Sequence, residues 1–586
     1  MEFRTGRRDG HAAAGLLLAA ALFALATPAS AQIVYDGNIL WNNGNGTLAG
    51  QFTGAVTSAD SVTGCPTKTA LIVGTVDYTN NDLVDPLLTG ALDIAHPNFQ
   101  PGAGSPAYAG GAGHGKSVNV PNDGFFTQVC WTGAIGQWPG EDWTQGWTYF
   151  DSTGATRTDL HLTGMPNPRP LAILEGSYFA NRTLGADTNY VLRGVVRIKS
   201  QATLTIPPGV VIFGERASQG TLVIERGAKI NAQGTPSSPI IFTSDDAPGL
   251  QARGGWGGVW LLGRAVCNCA NTAGGDSCVS EGGFIGQFGG TDDDDNSGTL
   301  RYVRVEYSGF PIAPDNELNS FTFDGVGRNT VIDHIQAHRG ADDGVEFFGG
   351  VAQVKYVVSS DGGDDGYDWQ MGFRGKAQFV VVRLLADKVG YTPGIAPDKG
   401  IEADNNEFGF DTLNGPRSSP TLSNFTFIGD RRSGGTLTGV TLGNHFRRGT
   451  RGAILNSIVY NFKQQAFRIE HDATFRQACA PVPPGIYCSS ALAAEVATGT
   501  SLVARAFPNP FTHANTIRFA LPNAAHVVVS LYAPNGRLVK TIADGPMAAG
   551  DHVVTWQADG GMPAGVYLYR VVADDATAQG KVLRVD

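Results

Sequence analysis

The chain has 586 residues, with 42 Lys and Arg against 53 Asp and Glu, a net charge of −11. That balance excludes the basic stripe a nucleic-acid partner requires, and no run beyond residue 31 approaches the ~18 apolar residues of a membrane-spanning helix. With 79 glycines and few patterns of helical period, the composition points to an all-β protein with many turns.

Arg4, Arg7 and Arg8 open the chain, residues 12–25 are apolar, and Ala29-Ser30-Ala31 is a small-x-small cleavage sequence. Residues 1–31 therefore read as a secretory signal peptide, and with no Cys beside the cleavage point a lipid anchor is not expected. Export permits disulfides. All seven cysteines lie beyond the signal: Cys65, Cys130, Cys267, Cys269, Cys278, Cys479 and Cys488. Nearness suggests Cys479 with Cys488 and one of Cys267 or Cys269 with Cys278, and elimination then pairs Cys65 with Cys130, leaving one thiol over. Cys267, Cys269 and Cys278 have no nearby His, so a loop disulfide suits them better than zinc.

Residues 32–185 form an irregular Gly- and Trp-rich region. Residues 70–76 are strand-like, Pro101-Gly102-Ala103-Gly104-Ser105-Pro106 is a loop, and residues 125–150 carry four of the nine tryptophans. Indoles this dense suit stacking on sugar rings, but the commoner role is to cap the open end of a solenoid.

Residues 186–488 carry the organising pattern. Leu204 and Ile206 recur as Leu222 and Ile224, then as Ile240 and Phe242, 18 residues apart each time. Apolar residues two apart mark strands, and turn residues such as Pro207-Pro208-Gly209 separate them. A fixed repeat whose units cannot bury an apolar face alone predicts stacked coils, a parallel β-helix, over a sandwich of hairpins. Residues 254–263 continue the column, and residues 266–298 are a Gly/Cys/Asp-rich excursion. Coils resume at 300–307 and recur at 331–338, 354–360, 379–385, 422–428 and 453–460. Ile332 to Val354 is 22 residues and Val354 to Phe379 is 25, which are workable coil lengths. Residues 390–397 and 431–450 read as insertions between coils, and insertions on one side of a solenoid often form its functional face.

Residues 489–501 are an Ala/Ser/Thr-rich linker. From 502 to 586 the pattern changes to short alternating strands at 516–520, 526–532, 537–542, 550–557 and 565–572, with a turn at Pro534-Asn535-Gly536, the spacing of a small immunoglobulin-like sandwich. Phe507-Pro508-Asn509-Pro510-Phe511, Thr516-Ile517-Arg518-Phe519, Asn535-Gly536-Arg537-Leu538-Val539 and Gly565-Val566-Tyr567-Leu568-Tyr569-Arg570 resemble the type IX secretion sorting domain and the related FlgD-like immunoglobulin fold. The resemblance implies a domain that engages the type IX secretion machinery, crosses the outer membrane and attaches its cargo to the cell surface. Many such domains end on a basic run, whereas this chain ends Lys581-Val582-Leu583-Arg584-Val585-Asp586.

The middle of the chain resembles secreted β-helix proteins of the Bacteroidota type. The stretches that carry the likeness are Trp256-Gly257-Gly258, Tyr302-Val303-Arg304-Val305-Glu306-Tyr307-Ser308-Gly309, Asp342-Asp343-Gly344-Val345-Glu346-Phe347-Phe348-Gly349-Gly350 and Glu402-Ala403-Asp404-Asn405. It implies the fold and an exported location, and no reaction.

The candidate chemistry is acidic. Asp342-Asp343 and Asp364-Asp365 are 22 residues apart, one coil interval, so in-register coils would stack the pairs near ~5 Å. Like charges that close call for a cation or raised pKa values. Ca²⁺, which takes six to eight oxygen ligands, suits such a site; a glycosidic acid/base pair is the catalytic alternative; Asp-Gly turn chemistry is the bland one. The β-helix pectinases use adjacent Asp residues, but no Gly-His-Gly follows here, and Arg468-Ile469-Glu470 only faintly resembles Arg-Ile-Lys. Arg339 and Arg374 are candidate partners for a lyase. Asp292-Asp293-Asp294-Asp295 lacks EF-hand spacing and reads as a solvated loop. His334, His338, His445 and His471 form no metal set.

The expectation is thus an exported, cell-surface β-helix acting as a binding or adhesive module for glycans or surface polymers. The alternatives are a polysaccharide lyase or glycoside hydrolase centred on Asp342, Asp343, Asp364 and Asp365, or a structural surface-layer component.

Overall fold

The computed structural model describes residues 33–43, 52–55, 81–108, 120–129, 131–137, 141–150, most of 169–474, and most of 502–584. Within 169–474 it leaves out 248, 270–277, 281–284, 314–315, 386–398, 407–415, 432–441 and 472. The signal sequence, the strand expected at 70–76, the linker, Trp138 and four cysteines (Cys65, Cys130, Cys479 and Cys488) lie outside the described residues.

The protein is all-β. Among the described residues a 25-stranded sheet winds into a parallel β-helix, followed by small antiparallel sheets at the C-terminal end. Each coil contributes to three ladders in turn. In one coil residues 299–301 lie in the first ladder, 303–306 in the second and Phe321–Asp324 in the third; the next coil answers with 331–333, 335–338 and Val345–Phe348. Ile332 pairs with Val354, the 22-residue interval read from the sequence. Alternation puts one set of side chains inside, so Leu222, Ile240, Val259, Phe321, Phe347, Trp369 and Phe427 form one continuous buried column. Burial of each such side chain contributes about 1.5–3 kcal/mol.

The 18-residue repeat is not one coil. Thr203–Ile206 pairs with Lys229–Gln233, Thr221–Ile224 with Gly258–Leu262, and Ile240–Ser244 with Val211–Gly214, so the three repeats sit in three different ladders. The period counted every second strand, because all three ladders share the same inward alternation. Residues 431–450 are likewise not only an insertion: Leu442–Phe446 is a third-ladder strand. The first coil begins at Leu171–Tyr178, ahead of the boundary expected at 186.

The bend from first to second ladder places one residue per coil in the left-handed region, namely Tyr302, His334, Tyr356, Phe379, Asn424 and Asn456, with φ between 49° and 61°. Side chains other than Gly and Asn resist that conformation. Here the rings stack on one another, Tyr302 on His334 at 4.3 Å, His334 on Tyr356 at 4.4 Å and Tyr356 on Phe379 at 5.3 Å, which offsets the strain.

Two N-terminal pieces complete the solenoid. Ile33–Asp36, Ile39–Trp41 and Phe52–Ala55 pair with Gly452–Leu455, Ile458–Tyr460 and Gln465–Glu470, supplying the last rung in all three ladders. The Trp-rich region lies along the flank, not over the open end. Leu88, Phe99, Ile135, Trp147 and Phe150 pack on Val358, Val381, Ile428 and Ile458, the outward face of the second ladder. Outward-facing polar side chains satisfy its backbone: Gln378 accepts from the Thr127 N–H at 2.8 Å, and Gln336 from the Tyr149 N–H at 2.7 Å. Trp143 and Trp147 donate their indole N–H groups to backbone carbonyls of the same segment.

The C-terminal unit has a three-stranded and a four-stranded antiparallel sheet around its own core of Ile517, Phe519, Val529, Leu531 and Val571. Ala504–Phe507 and Ala576–Arg584 add strands that the sequence reading did not place.

Candidate functional site: the outward face of the third ladder

A four-residue pattern builds this face. Gly344, Gly366, Gly400 and Gly443 precede the core residues Val345, Tyr367, Ile401 and Asn444, which pair rung upon rung. The glycines are required by close approach: a Cβ at Gly344 would lie 2.9 Å from the Gly366 carbonyl oxygen and closer still to Ser359 Oγ. Two positions after each glycine the side chain points outward, so Glu346, Asp368, Glu402, His445 and Arg468 fall in register on five successive rungs, roughly 4.8 Å apart.

Upstream the same face is apolar and closed. Val223, Trp260 and Leu262 pack under Cys278, Ile285 and Phe288 of the excursion, which is tied by a Cys269–Cys278 disulfide. Among the described cysteines Cys267 is a free thiol, and burial pushes its pKa up. Glu346, Glu402 and His445 are all buried, and the partly exposed side chains lie at the far end, Arg468 at 30% and Glu470 at 29%. The inner end is thus sealed, and the outer end is exposed in part, at Arg468 and Glu470.

Charges sort along the same axis. At the inner end Asp343, Glu346 and Asp368 bring carboxylate oxygens within 4.8 Å of one another, and Asp365, Asp368 and Glu402 do the same one rung on. Burial, then Asp342, Asp368, Asp365 and Glu346, pushes Asp343 well above the usual carboxylate range. Burial and the neighbouring Asp404 lift Asp368 to about 8, although Arg447 and Lys399 pull against them. Cations then take over. Lys399 Nζ is 2.7 Å from Glu402 and Arg447 pairs with both Glu402 and Asp404. Arg448 reaches Asp404 at 2.7 Å. His445 meets Glu470 at 2.7 Å, and burial together with Lys399 holds its pKa down to about 4. Burial raises Glu470, but His445 and Arg468 outweigh that and keep it low.

The residues singled out from the sequence divide. Asp343 and Asp365 are buried at the inner end, while Asp342 and Asp364 are half-buried at its rim, where Asp342, Asp343 and Asp364 also come within 4.8 Å. His445 joins the site. His334 instead meets Trp143 and Trp147 edge-on, and His338 stacks on Tyr149, on the other flank. Arg374 pairs with Asp293 at 2.9 Å and Arg328 with Asp294 at 2.8 Å; in the Asp292–Asp295 run Asp292 and Asp294 are exposed, as a solvated loop requires, while Asp295 is buried. Glu346, Asp368, Glu402, Asp404, Lys399 and Arg447 escaped the sequence reading. Their signal is the recurring Asp-Gly-x-acid pattern, as in Asp343-Gly344-Val345-Glu346 and Asp365-Gly366-Tyr367-Asp368, followed by Lys399-Gly400-Ile401-Glu402.

An elongated solenoid with one ionisable ladder and one sealed end defines a β-helix module with a linear polar face. Residues 176–486 match the family described as "Pectate-lyase like beta helix domain", more than half of the chain, and the protein belongs to that family. Residues 510–577 match the FlgD Ig-like domain. No curated protein matches the sequence. Among solved structures, the enzymatically active domain of bacteriophage CBA120 tailspike protein 2 overlaps with a TM-score of 0.18 at 8% identity, covering 67% of this chain and 72% of that one, too slight a likeness to carry an argument. The family's fold suits a module that binds or acts on glycans. No helix among the described residues is long and apolar enough to cross a membrane.

Proposed function

We propose that this protein is an exported surface module that binds a glycan or similar polyhydroxylated polymer at the partly exposed outer end of the third ladder. The observation that carries the reading is the in-register column Glu402–His445–Arg468, flanked by Arg447, Arg448 and Glu470. Rigid strands hold these donors and acceptors at a constant pitch, which suits a repeating ligand and spares it the entropy of ordering the site. The FlgD-like domain would direct secretion through the type IX machinery and hold the module at the cell surface; export without residues 502–586 tests that part.

Retention of the full chain on immobilised neutral and acidic polysaccharides tests the binding. Arg468→Ala and Glu470→Gln should weaken retention about tenfold, since each hydrogen bond to a charged group contributes about 1.5–3 kcal/mol. Retention of no polymer in the panel would refute the reading.

Cleavage is the second reading, and one contrast favours it. Asp368, held protonated near neutrality, stands within 4.8 Å of Glu402, which Lys399 and Arg447 pair as a carboxylate. A carboxyl whose pKa burial lifts, standing beside an ion-paired one, can divide acid and base roles with it. Release of reducing or unsaturated ends, lost in Asp368→Asn, would establish an enzyme.

A further inference from the structure

The sealed inner end of the ladder contains more oxygen than its protein partners satisfy. Glu346 Oε2 accepts from Asn319 Nδ2 at 2.5 Å, and Oε1 accepts from Gln370 Nε2 at 3.2 Å. Each amide therefore carries its own oxygen at the cluster, and neither Asn319 Oδ1 nor Gln370 Oε1, both buried atoms, has a hydrogen-bond partner among the described residues. Asn319 is 1% exposed. Asp368 Oδ1 is buried and without a partner in the same way. Thr322, which pairs with Glu346 on the preceding rung and is fully buried, leaves its Oγ1 unsatisfied too. Leaving one buried polar atom unpaired costs about 1–3 kcal/mol. Several together at one point call for a counter-ion.

We propose that Asp343, Glu346, Asp368, Asn319 and Gln370 form a site for one hard divalent cation of the Ca²⁺ class, built into the wall of the β-helix across adjoining rungs. Three carboxylates and two amide oxygens supply the all-oxygen donors that Ca²⁺ prefers, and its tolerance of irregular geometry suits ligands fixed by strand register. Mg²⁺, which demands an octahedral shell and keeps its water, fits a sealed wall poorly. The rim group of Asp342, Asp343 and Asp364 is an acidic cluster without such orphaned neutral oxygens. The cation site does not depend on a glycan occupying the outer end of the ladder.

The test uses the full chain, stripped with chelator and titrated with CaCl₂ alone by calorimetry, with melting followed in parallel. One equivalent should bind, the melting temperature should rise with Ca²⁺ concentration as linkage requires, and Mg²⁺ should bind at least tenfold more weakly. Asp368→Asn and Glu346→Gln should each weaken Ca²⁺ by tenfold or more, while Asp342→Asn should retain it. Absence of both heat and melting shift, in a chain that melts cooperatively, would overturn the site and leave a cluster of shared protons. Loss of binding in Asp342→Asn with retention in Asp368→Asn would overturn it by moving the ion to the rim. Polymer retention, measured separately on stripped and loaded protein, keeps this outcome distinct from that of the glycan reading.

Discussion

The backbone N–H of Asp365 donates to Asp343 Oδ1 across 2.9 Å, from one coil to the one before it, and the N–H of Lys399 repeats the contact on Asp365 at 2.8 Å. Each carboxylate thereby satisfies the turn of the following rung, which is why an Asp stands before these glycines.

Asp343→Ala should therefore destabilise the protein by about 1–3 kcal/mol, the cost of an orphaned buried N–H. Asp343→Asn keeps the acceptor and removes a buried ionisable group crowded by other carboxyls, so in chelator it should be at least as stable as the parent. Chemical denaturation of both variants in chelator checks this pair.

Stability should depend on pH with two opposed slopes in chelator. Asp368 is lifted to about 8, above the roughly 3.9 of an unfolded Asp, so the folded chain keeps a proton that the unfolded chain has released and stability falls as pH rises from about 4 to about 8. His445 is held down to about 4, below the roughly 6.5 of an unfolded His, so its contribution is lost as pH falls from about 6.5 to about 4. Asp368→Asn should flatten the first slope and His445→Gln the second in melting curves taken across pH.

Arg383 and Asp361 form a fully buried ion pair at 2.6 Å, with the guanidinium 4.6 Å from the Phe150 ring centroid. Breaking one side strands a charge between the second ladder and its cover. Arg383→Met should cost about 3–5 kcal/mol, and Asp361→Asn in the same chain should restore part of it. A double-mutant cycle by urea denaturation measures the coupling.

The last rung should be held largely by Tyr35, which is 1% exposed, stacks on Phe467 at 4.5 Å and accepts from Asn444 Nδ2 at 3.1 Å. Tyr35→Ala should cost about 3–5 kcal/mol, as truncation of a buried aromatic does. Faster proteolysis within residues 442–470 would show that the terminal coils open first.

Period-2 alternation with intervening turn residues was enough to predict stacked coils, because a strand that buries one face writes that face into its sequence. The 22-residue interval from Ile332 to Val354 also placed Asp343 and Asp365 on neighbouring rungs, since no insertion separates those coils. Sequence could not reveal the rest of the ladder. Asp368, Glu402 and His445 are 34 and then 43 residues apart, because loops of unequal length leave the coil between strands that still pair in register. Nor could it show that Ile33 and Tyr35, more than 400 residues before the coil they complete, belong to the last rung, or that the Trp-rich segment covers a flank. Side-chain alternation is local and survives in the sequence. Which strands become neighbours is decided by ladder pairing and by what packs outside the sheet, and only the folded chain specifies those.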